Sequence, residues 1–192
     1  SFDRAAGKRC IYVSAPGGFG KTVSALLWIQ KSGLVPIWLG LDKYDNTPST
    51  FFRFLCTALF SVMPQNENLT RIILEPSFND SPVEYTIDIL SRLSFDNRKY
   101  ALVLDDFYFI TNEEIQKSMI YILNRLPLSV TVVFLSRSEL PRFFAPLDEK
   151  GKIAFIGVTE LSFSSDEIRL FFSAYGRSIT KEEAEEVLKL TG

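Results

Sequence analysis

The chain of 192 residues contains no histidine and only two cysteines, Cys10 and Cys56. Without histidine, no Ser-His-Asp or Cys-His nucleophile system, His-ligated zinc or histidine phosphorelay can operate within it. Two thiols cannot make a four-sulfur metal site, and they are too few for a disulfide-dense secreted scaffold. No apolar run reaches the length of a membrane span. The longest candidate, Phe51 to Met63, is interrupted by Arg53 and reads as a buried helix. Lys and Arg nowhere form a run that could track a phosphate backbone, and the net charge is −2, so direct duplex binding is not expected. What remains is the chemistry of carboxylates, Lys, Arg, hydroxyls, backbone amides or an oxygen-ligated metal. No charged-then-apolar leader follows Ser1, so the expected location is cytoplasmic. The missing initiator Met and the ending at Leu190-Thr191-Gly192 suggest a segment of a longer protein.

Against these absences, five short apolar runs rich in β-branched and aromatic residues recur: Cys10–Ala15, Pro36–Leu41, Tyr100–Leu104, Val130–Leu135 and Ile153–Val158. None alternates cleanly between apolar and polar, as expected of strands buried on both faces. Helical patterns lie between them. Thr47-Pro48 offers a cap and a proline at the first helical position, ahead of Phe51, Phe52, Leu55 and Leu59. Ser81-Pro82-Val83-Glu84 adds a capping box before Ile87, Leu90 and Leu93, and Thr111-Asn112-Glu113-Glu114 opens a further helix. Alternating strands and helices predict an α/β domain with a mostly parallel sheet and helices on both faces. After Val158 the texture changes: capping boxes at Ser164–Glu167 and Thr180–Glu183 introduce two helices with no strand following. The expected division is a domain over 1–160 and the first helices of a helical subdomain over 161–192. Segment Pro64–Asp80 receives no assignment.

The sharpest motif is Ser14-Ala15-Pro16-Gly17-Gly18-Phe19-Gly20-Lys21-Thr22, between the first strand and an apolar helix. That context is the one a phosphate-binding P-loop requires. Gly17, Gly18 and Gly20 permit positive φ and let amides wrap an anion, and the next helix points its positive end at it. Lys21 would reach the β- and γ-phosphates and the Thr22 hydroxyl would ligate Mg²⁺. Pro16, Gly17, Gly18, Phe19, Gly20, Lys21, Thr22 and Val23 are the expected nucleotide-binding set. Ala15 departs from the glycine that usually opens the motif. A second signal is the strand Ala101-Leu102-Val103-Leu104 ending in Asp105-Asp106. Alone, such acids more often cap a turn. Coupled to a P-loop, Asp105 reads as the metal ligand and Asp106 as the base that orients an attacking water. Arg137, after the fourth strand, lies next to the γ-phosphate if that strand sits between the first and third; otherwise it is a surface arginine. Ser136 is a weaker candidate there. The chemistry expected is phosphoanhydride hydrolysis, with Lys21, Asp106 and Arg137 as the catalytic set.

The succession APGGFGKT, IWLGLDKYDNTPSTFFRFLCTAL, LVLDDFYFITNEEIQKSM, VVFLSRSELP and LSFSSDEIRLFF resembles the nucleotide-binding region of the large ATP-dependent LuxR-type transcriptional regulators. These are a group of the signal-transduction ATPases with numerous domains (STAND). The resemblance covers essentially the whole chain. It implies a sheet order, numbering the runs one to five, of 5-1-4-3-2. It also implies ATP or ADP with Mg²⁺ as ligands, slow hydrolysis, self-association when ATP is bound, and control by an inducer of unknown identity. Contact with DNA would be made only through a helix-turn-helix outside this chain. Ala15 is similar to the alanine that often opens this family's loop. Tyr108 stands where members commonly carry histidine. Asp42 and Asn46 are placed by the resemblance near the nucleotide or a neighbouring subunit, while loop capping explains them equally well. Phe51, Phe52, Phe54 and Phe60, with Trp28 and Trp38, read as packing rather than base stacking. Glu182, Glu183, Glu185 and Glu186 read as a solvated helix face. The alternatives are a STAND ATPase with a protein output, a small-molecule P-loop kinase, and a fold retained as scaffold.

Overall fold

In a computed structural model the five runs form strands β1 (Cys10–Ser14), β2 (Val35–Gly40), β3 (Tyr100–Asp105), β4 (Val130–Ser136) and β5 (Ile153–Ile156). The structure describes residues 2–5, 7–62, 67–93, 95–162, 164–174 and 176–191. Met63, Phe163 and Gly192, used in the sequence readings above, lie outside them, as do the side chains of Phe171, Leu190 and Thr191. All neighbouring strands run parallel, in the order β2-β3-β4-β1-β5. Read from its other edge, this is the expected 5-1-4-3-2.

Successive residues of the strands face different cores, which explains their unbroken apolar character. Cys10, Tyr12, Leu102, Leu104, Val132 and Phe134 join a large core with α2 (Pro48–Ser61), α3 (Glu67–Leu74), α4 (Pro82–Arg92) and α5 (Glu113–Arg125). Ile11, Val13, Ala101, Val103, Val133 and Leu135 join a smaller one with Phe2 and with Ala25, Trp28 and Ile29 of α1 (Lys21–Lys31). Helices therefore cover both faces, unequally. The large core is aromatic: Phe107 and Phe134 meet edge-on with centroids 4.8 Å apart, and Phe134 meets Phe144 at 4.9 Å. Of the aromatic group expected to pack, Phe51 and Phe52 are fully buried and Phe54 is exposed.

Several local expectations change. Ser81 holds the N-cap position of α4 but makes no side-chain cap bond, because its ψ of 60° lacks the extended geometry of a capping serine. The cap of α5 is Asn112, which accepts from the amides of Glu114 (2.9 Å) and Ile115 (3.3 Å), rather than Thr111. β5 stops at Ile156. Gly157 and Glu160 then close the short helix α7 (Val158–Leu161), the Gly157 amide donating to Glu160 Oε2 at 2.9 Å. Before β5, Ala145–Asp148 forms the single turn α6. The unassigned stretch supplies α3 and a 3₁₀ turn, Pro76–Asn79, which place Leu69, Ile73 and Phe78 in the large core. Helices α8 (Ser165–Ala174) and α9 (Lys181–Thr191) start with the capping boxes read from the sequence. Ser164 N donates to Glu167 Oε2 at 2.7 Å, and Thr180 N to Glu183 Oε2 at 2.7 Å.

Candidate functional site

The chain leaves β1 at Ser14 and turns through Ala15–Gly20 into α1. Two positions of this turn need the left-handed backbone that glycine adopts without strain: Gly18 at φ 90° and Gly20, the N-cap of α1, at φ 68°. Gly17 does not share that conformation. It lies beneath Arg137 instead, where an added Cβ would stand 3.7 Å from Nη1. No carboxylate occupies the first turn of α1, so the positive end of the helix dipole faces the loop uncompensated.

Lys21 is buried and folds back over the loop, donating from Nζ to the carbonyls of Ala15 (2.7 Å) and Pro16 (2.8 Å). Burial lowers its pKa; the nearby Arg137 charge adds to this, and Asp106 and Asp105 oppose it. The Thr22 hydroxyl donates to Asp105 Oδ2 at 3.1 Å, joining α1 to the end of β3. Burial holds the Asp105 carboxyl above the usual carboxylate range. The Thr22 hydrogen bond opposes that shift, and the Asp106 charge reinforces it. A hydroxyl and a carboxylate at this distance form a hard-oxygen pair that fits Mg²⁺, which takes few protein ligands and keeps phosphate and water oxygens for the rest. Among the described residues no group of three or more His, Cys, Asp or Glu offers a fuller cage.

Asp106 follows with φ 55° and ψ 39°, the one non-glycine residue at positive φ among those described. This conformation turns the chain sharply into the 3₁₀ turn Phe107–Phe109 and leaves the Asp106 carboxylate 3.8 Å from Arg137 Nε. Arg137 emerges from β4, which does lie between β1 and β3, so its guanidinium comes near both Asp106 and the loop. Ser136 is buried and used locally: Oγ accepts from Ser138 N at 3.1 Å and lies 2.9 Å from Ser138 Oγ. Asp42 and Asn46 are likewise engaged in loops. Asp42 Oδ1 accepts from Tyr44 N at 2.7 Å. Asn46 Oδ1 accepts from the amides of Thr111 and Asn112, both at 2.9 Å, and Nδ2 donates to Thr111 Oγ1 at 2.8 Å. Asn46 thereby ties the loop after β2 to the segment that carries the acid pair.

A cleft of about 720 Å³ runs from this loop to α8 and α9. Its phosphate-side wall is Gly17–Gly20 with Ser24; its far wall is mixed, with apolar Phe2, Val23, Leu27, Leu161, Ile168 and Leu188 beside Glu160, Ser162 and Glu167, whose side chains bond to nearby backbone. Val23 and Leu27 remain 58% and 60% exposed on the cleft side of α1. Phe2 stacks on Trp28 with ring centroids 5.3 Å apart, which anchors the N-terminal 3₁₀ turn at the cleft. Sequence reasoning missed Phe2, Leu161, Ile168 and Leu188. Each is an ordinary apolar residue in its own segment, and only the tertiary fold joins them.

A second cleft of about 590 Å³ lies on the other side of the sheet ends, beside Lys8, Arg9 and Lys152. There the Arg9 guanidinium donates to the carbonyls of Leu123, Leu126 and Pro127 and so caps α5. Burial pushes the Cys10 and Cys56 thiols up to about 12, which keeps both protonated and unreactive at neutral pH.

No protein-family model matches the chain. Over most of its length it is homologous to MalT, a LuxR-family regulator. It is 30% identical over 165 residues to the HTH-type transcriptional regulator MalT of Vibrio campbellii, a match covering 86% of this chain and 18% of the relative. With MalT of Serratia proteamaculans it shares 28% over 183 residues, 95% of this chain and 20% of the relative. The chain thus spans about a fifth of the length of these curated relatives. Among solved structures, Cdc6p from Pyrobaculum aerophilum aligns with a TM-score of 0.55 at 15% identity, covering 95% of this chain and 48% of that one. The Aeropyrum pernix ORC1 protein, solved in complex with DNA, aligns at 0.53 and 18%, covering 86% and 43%. At these identities the likeness is one of fold, and the fold is that of a P-loop ATPase.

Proposed function

We propose that this chain is the nucleotide-binding switch domain of a MalT-like transcriptional regulator, binding ATP or ADP with Mg²⁺ and hydrolysing ATP slowly. One observation supports this above the others. The ends of β1, β3 and β4 bring Lys21, Thr22, Asp105, Asp106 and Arg137 around a single glycine-rich loop, and the same loop lines a cleft of about 720 Å³. Residues 1–160 carry this machinery, and 161–192 supply helices that close the far end of the cleft.

Each residue has a role set by its position. The amides of Gly17–Gly20 and the N-terminus of α1 cradle phosphate oxygens. Lys21, released from the carbonyls of Ala15 and Pro16, neutralises charge on the β- and γ-phosphates; its lowered pKa recovers beside an anion. Thr22 and Asp105 would hold Mg²⁺, which when bound would supply positive charge to offset that of the phosphates. Asp106 accepts a hydrogen bond from the attacking water and aims it at the γ-phosphorus. Arg137 contacts the γ-phosphate and so distinguishes ATP from ADP. Val23, Leu27, Ile168 and Leu188 enclose the base by apolar contact. Switching between nucleotide states, with self-association in the ATP state, would be read out by DNA-binding and inducer-binding parts elsewhere in a protein of MalT's length. No helix of the described chain is long and apolar enough to cross a membrane.

The test is Mg²⁺-dependent phosphate release by the chain and by Asp106→Asn. Slow release that is lost in the variant, with nucleotide affinity retained, is the expected result. Undiminished release by Asp106→Asn would remove Asp106 from the reaction.

A further inference from the structure

The cleft-lining side of α1 carries, in order from the phosphate loop, Gly20, Ser24 and Leu27, with Val23 beside them. Residues three and four apart share a helix face, and each residue adds about 1.5 Å along the axis. Ser24 thus lies about 6 Å beyond the N-cap Gly20, and Leu27 about 4.5 Å farther. Phosphates cradled at Gly20 and a base laid against Leu27 leave the sugar of a nucleotide at the level of Ser24.

The Ser24 hydroxyl is uncommitted. A helical serine or threonine often returns its hydroxyl to the carbonyl four residues back. Thr57 and Thr86 do so here, donating to Arg53 O at 2.8 Å and Pro82 O at 2.7 Å. Ser24 gives only its amide to Gly20 O, at 2.8 Å, and its Oγ has no hydrogen-bond partner among the described residues. It is also half-buried, and a hydroxyl withdrawn from water gains from a partner that a ligand brings. The polar side chains of the far wall are differently placed. Glu160 Oε2 accepts from Gly157 N, Ser162 Oγ donates to Val158 O, and Glu167 Oε2 accepts from Ser164 N. Glu160 and Glu167 are exposed, where water competes for their remaining oxygens. On α1, Ser24 is the one polar side chain offered to the cleft.

We propose that Ser24 is a specificity-determining residue whose hydroxyl hydrogen-bonds a ribose hydroxyl, so that the cleft takes ribonucleotides in preference to deoxyribonucleotides. This rests on the reading of the cleft as a nucleotide site. A serine hydroxyl both donates and accepts, as a ribose hydroxyl does, so the pair forms in either sense. A nucleotide lacking that hydroxyl leaves Ser24 unpaired beneath it, which is how a polar group in an apolar cleft rejects an analogue. The sugar is common to ATP and ADP, so the contact adds affinity to both and leaves their ratio alone.

Calorimetry with Mg²⁺ on the chain and on Ser24→Ala tests this, with ADP, 2′-deoxy-ADP and 3′-deoxy-ADP as ligands. Inorganic pyrophosphate probes the phosphate cradle alone. Alanine is the best helix former, so the variant should keep α1 intact. Wild type should bind ADP about three- to tenfold more tightly than at least one deoxy analogue, the worth of one neutral hydrogen bond. In Ser24→Ala that difference should vanish, ADP falling to the affinity of the analogue while pyrophosphate binds as before. Equal affinity of wild type for ADP and both deoxy analogues overturns the sugar contact and leaves the nucleotide reading standing. Discrimination that persists in Ser24→Ala moves the sugar contact to another group and overturns the role of Ser24. A loss for pyrophosphate as large as that for ADP makes Ser24 a phosphate contact and overturns it too. No binding of ADP by wild type overturns the nucleotide reading itself, and this proposal with it.

Discussion

The two ends of the cleft are assembled by opposite routes. At the phosphate end, every group comes from the tip of a parallel strand or the turn after it: Ala15–Thr22 after β1, Asp105 and Asp106 at the end of β3, Arg137 after β4. Those groups are polar and engaged with one another, Lys21 on loop carbonyls, Thr22 on Asp105, Arg137 beside Asp106. At the other end, Phe2, Leu161, Ile168 and Leu188 come from four separate elements and offer mainly apolar surface, the neighbouring Glu160 and Glu167 being engaged in capping their own helices. Strand ends in a parallel sheet are held in register by the ladder, and ligands bind in the crevice at their carboxyl ends. The apolar end depends on how α8 and α9 sit over the cleft. It should contribute affinity without discriminating between phosphates.

That contrast sets the order of expected effects. The largest is on turnover: Asp106→Asn should lower ATP hydrolysis about 100-fold or more, the usual worth of a general base, measured as phosphate release at saturating Mg-ATP. Next, Lys21→Ala should weaken Mg-ATP and Mg-ADP by about 10- to 100-fold in calorimetry, the cost of removing a charged hydrogen-bond donor. At the apolar end, Leu188→Ser should weaken ATP analogue and ADP equally, by about threefold to tenfold, through lost apolar contact. An unequal loss would show that this end also senses phosphate and would dissolve the contrast.

The smallest effect concerns pH. Burial raises the Asp105 carboxyl, so the folded chain holds that proton more tightly than the unfolded chain does. The cost of ionising Asp105 is therefore absent below the ordinary carboxylate range and complete above the raised value. Stability should fall as pH rises through that window. In Asp105→Asn this component is missing, and thermal midpoints followed from pH 3 to 7 should show the variant gaining on wild type toward neutrality.

What could be read in advance follows the same division. The glycine-rich loop is contiguous, and its strand-then-helix setting points to Lys21 and Thr22 from the sequence alone. Asp105, Asp106 and Arg137 were legible as strand-end residues, and the parallel order brought them to the loop. The left-handed turn at Asp106 and the Arg137–Tyr108 contact were not legible, because neither is encoded in a residue type. Gly17 lacks the positive φ that its place in the loop suggests, because residue type alone does not set the local backbone angle. Helix α3 is hidden between polar, proline-rich flanks, although Leu69 and Ile73 are buried in the same core as residues of the plainer helices. The walls at Ile168 and Leu188 are common apolar residues at helical spacing. Nothing in such a pattern distinguishes a cleft wall from a core.

The central claim is that the chain binds Mg-nucleotide through Lys21 and the loop around it. Calorimetric titration of the chain with Mg-ADP, repeated on Lys21→Ala at matched thermal midpoint, tests it most directly. Saturable one-to-one binding that weakens about 10-fold or more in the variant is the predicted result. No binding by the wild-type chain, or equal binding by both, would contradict it.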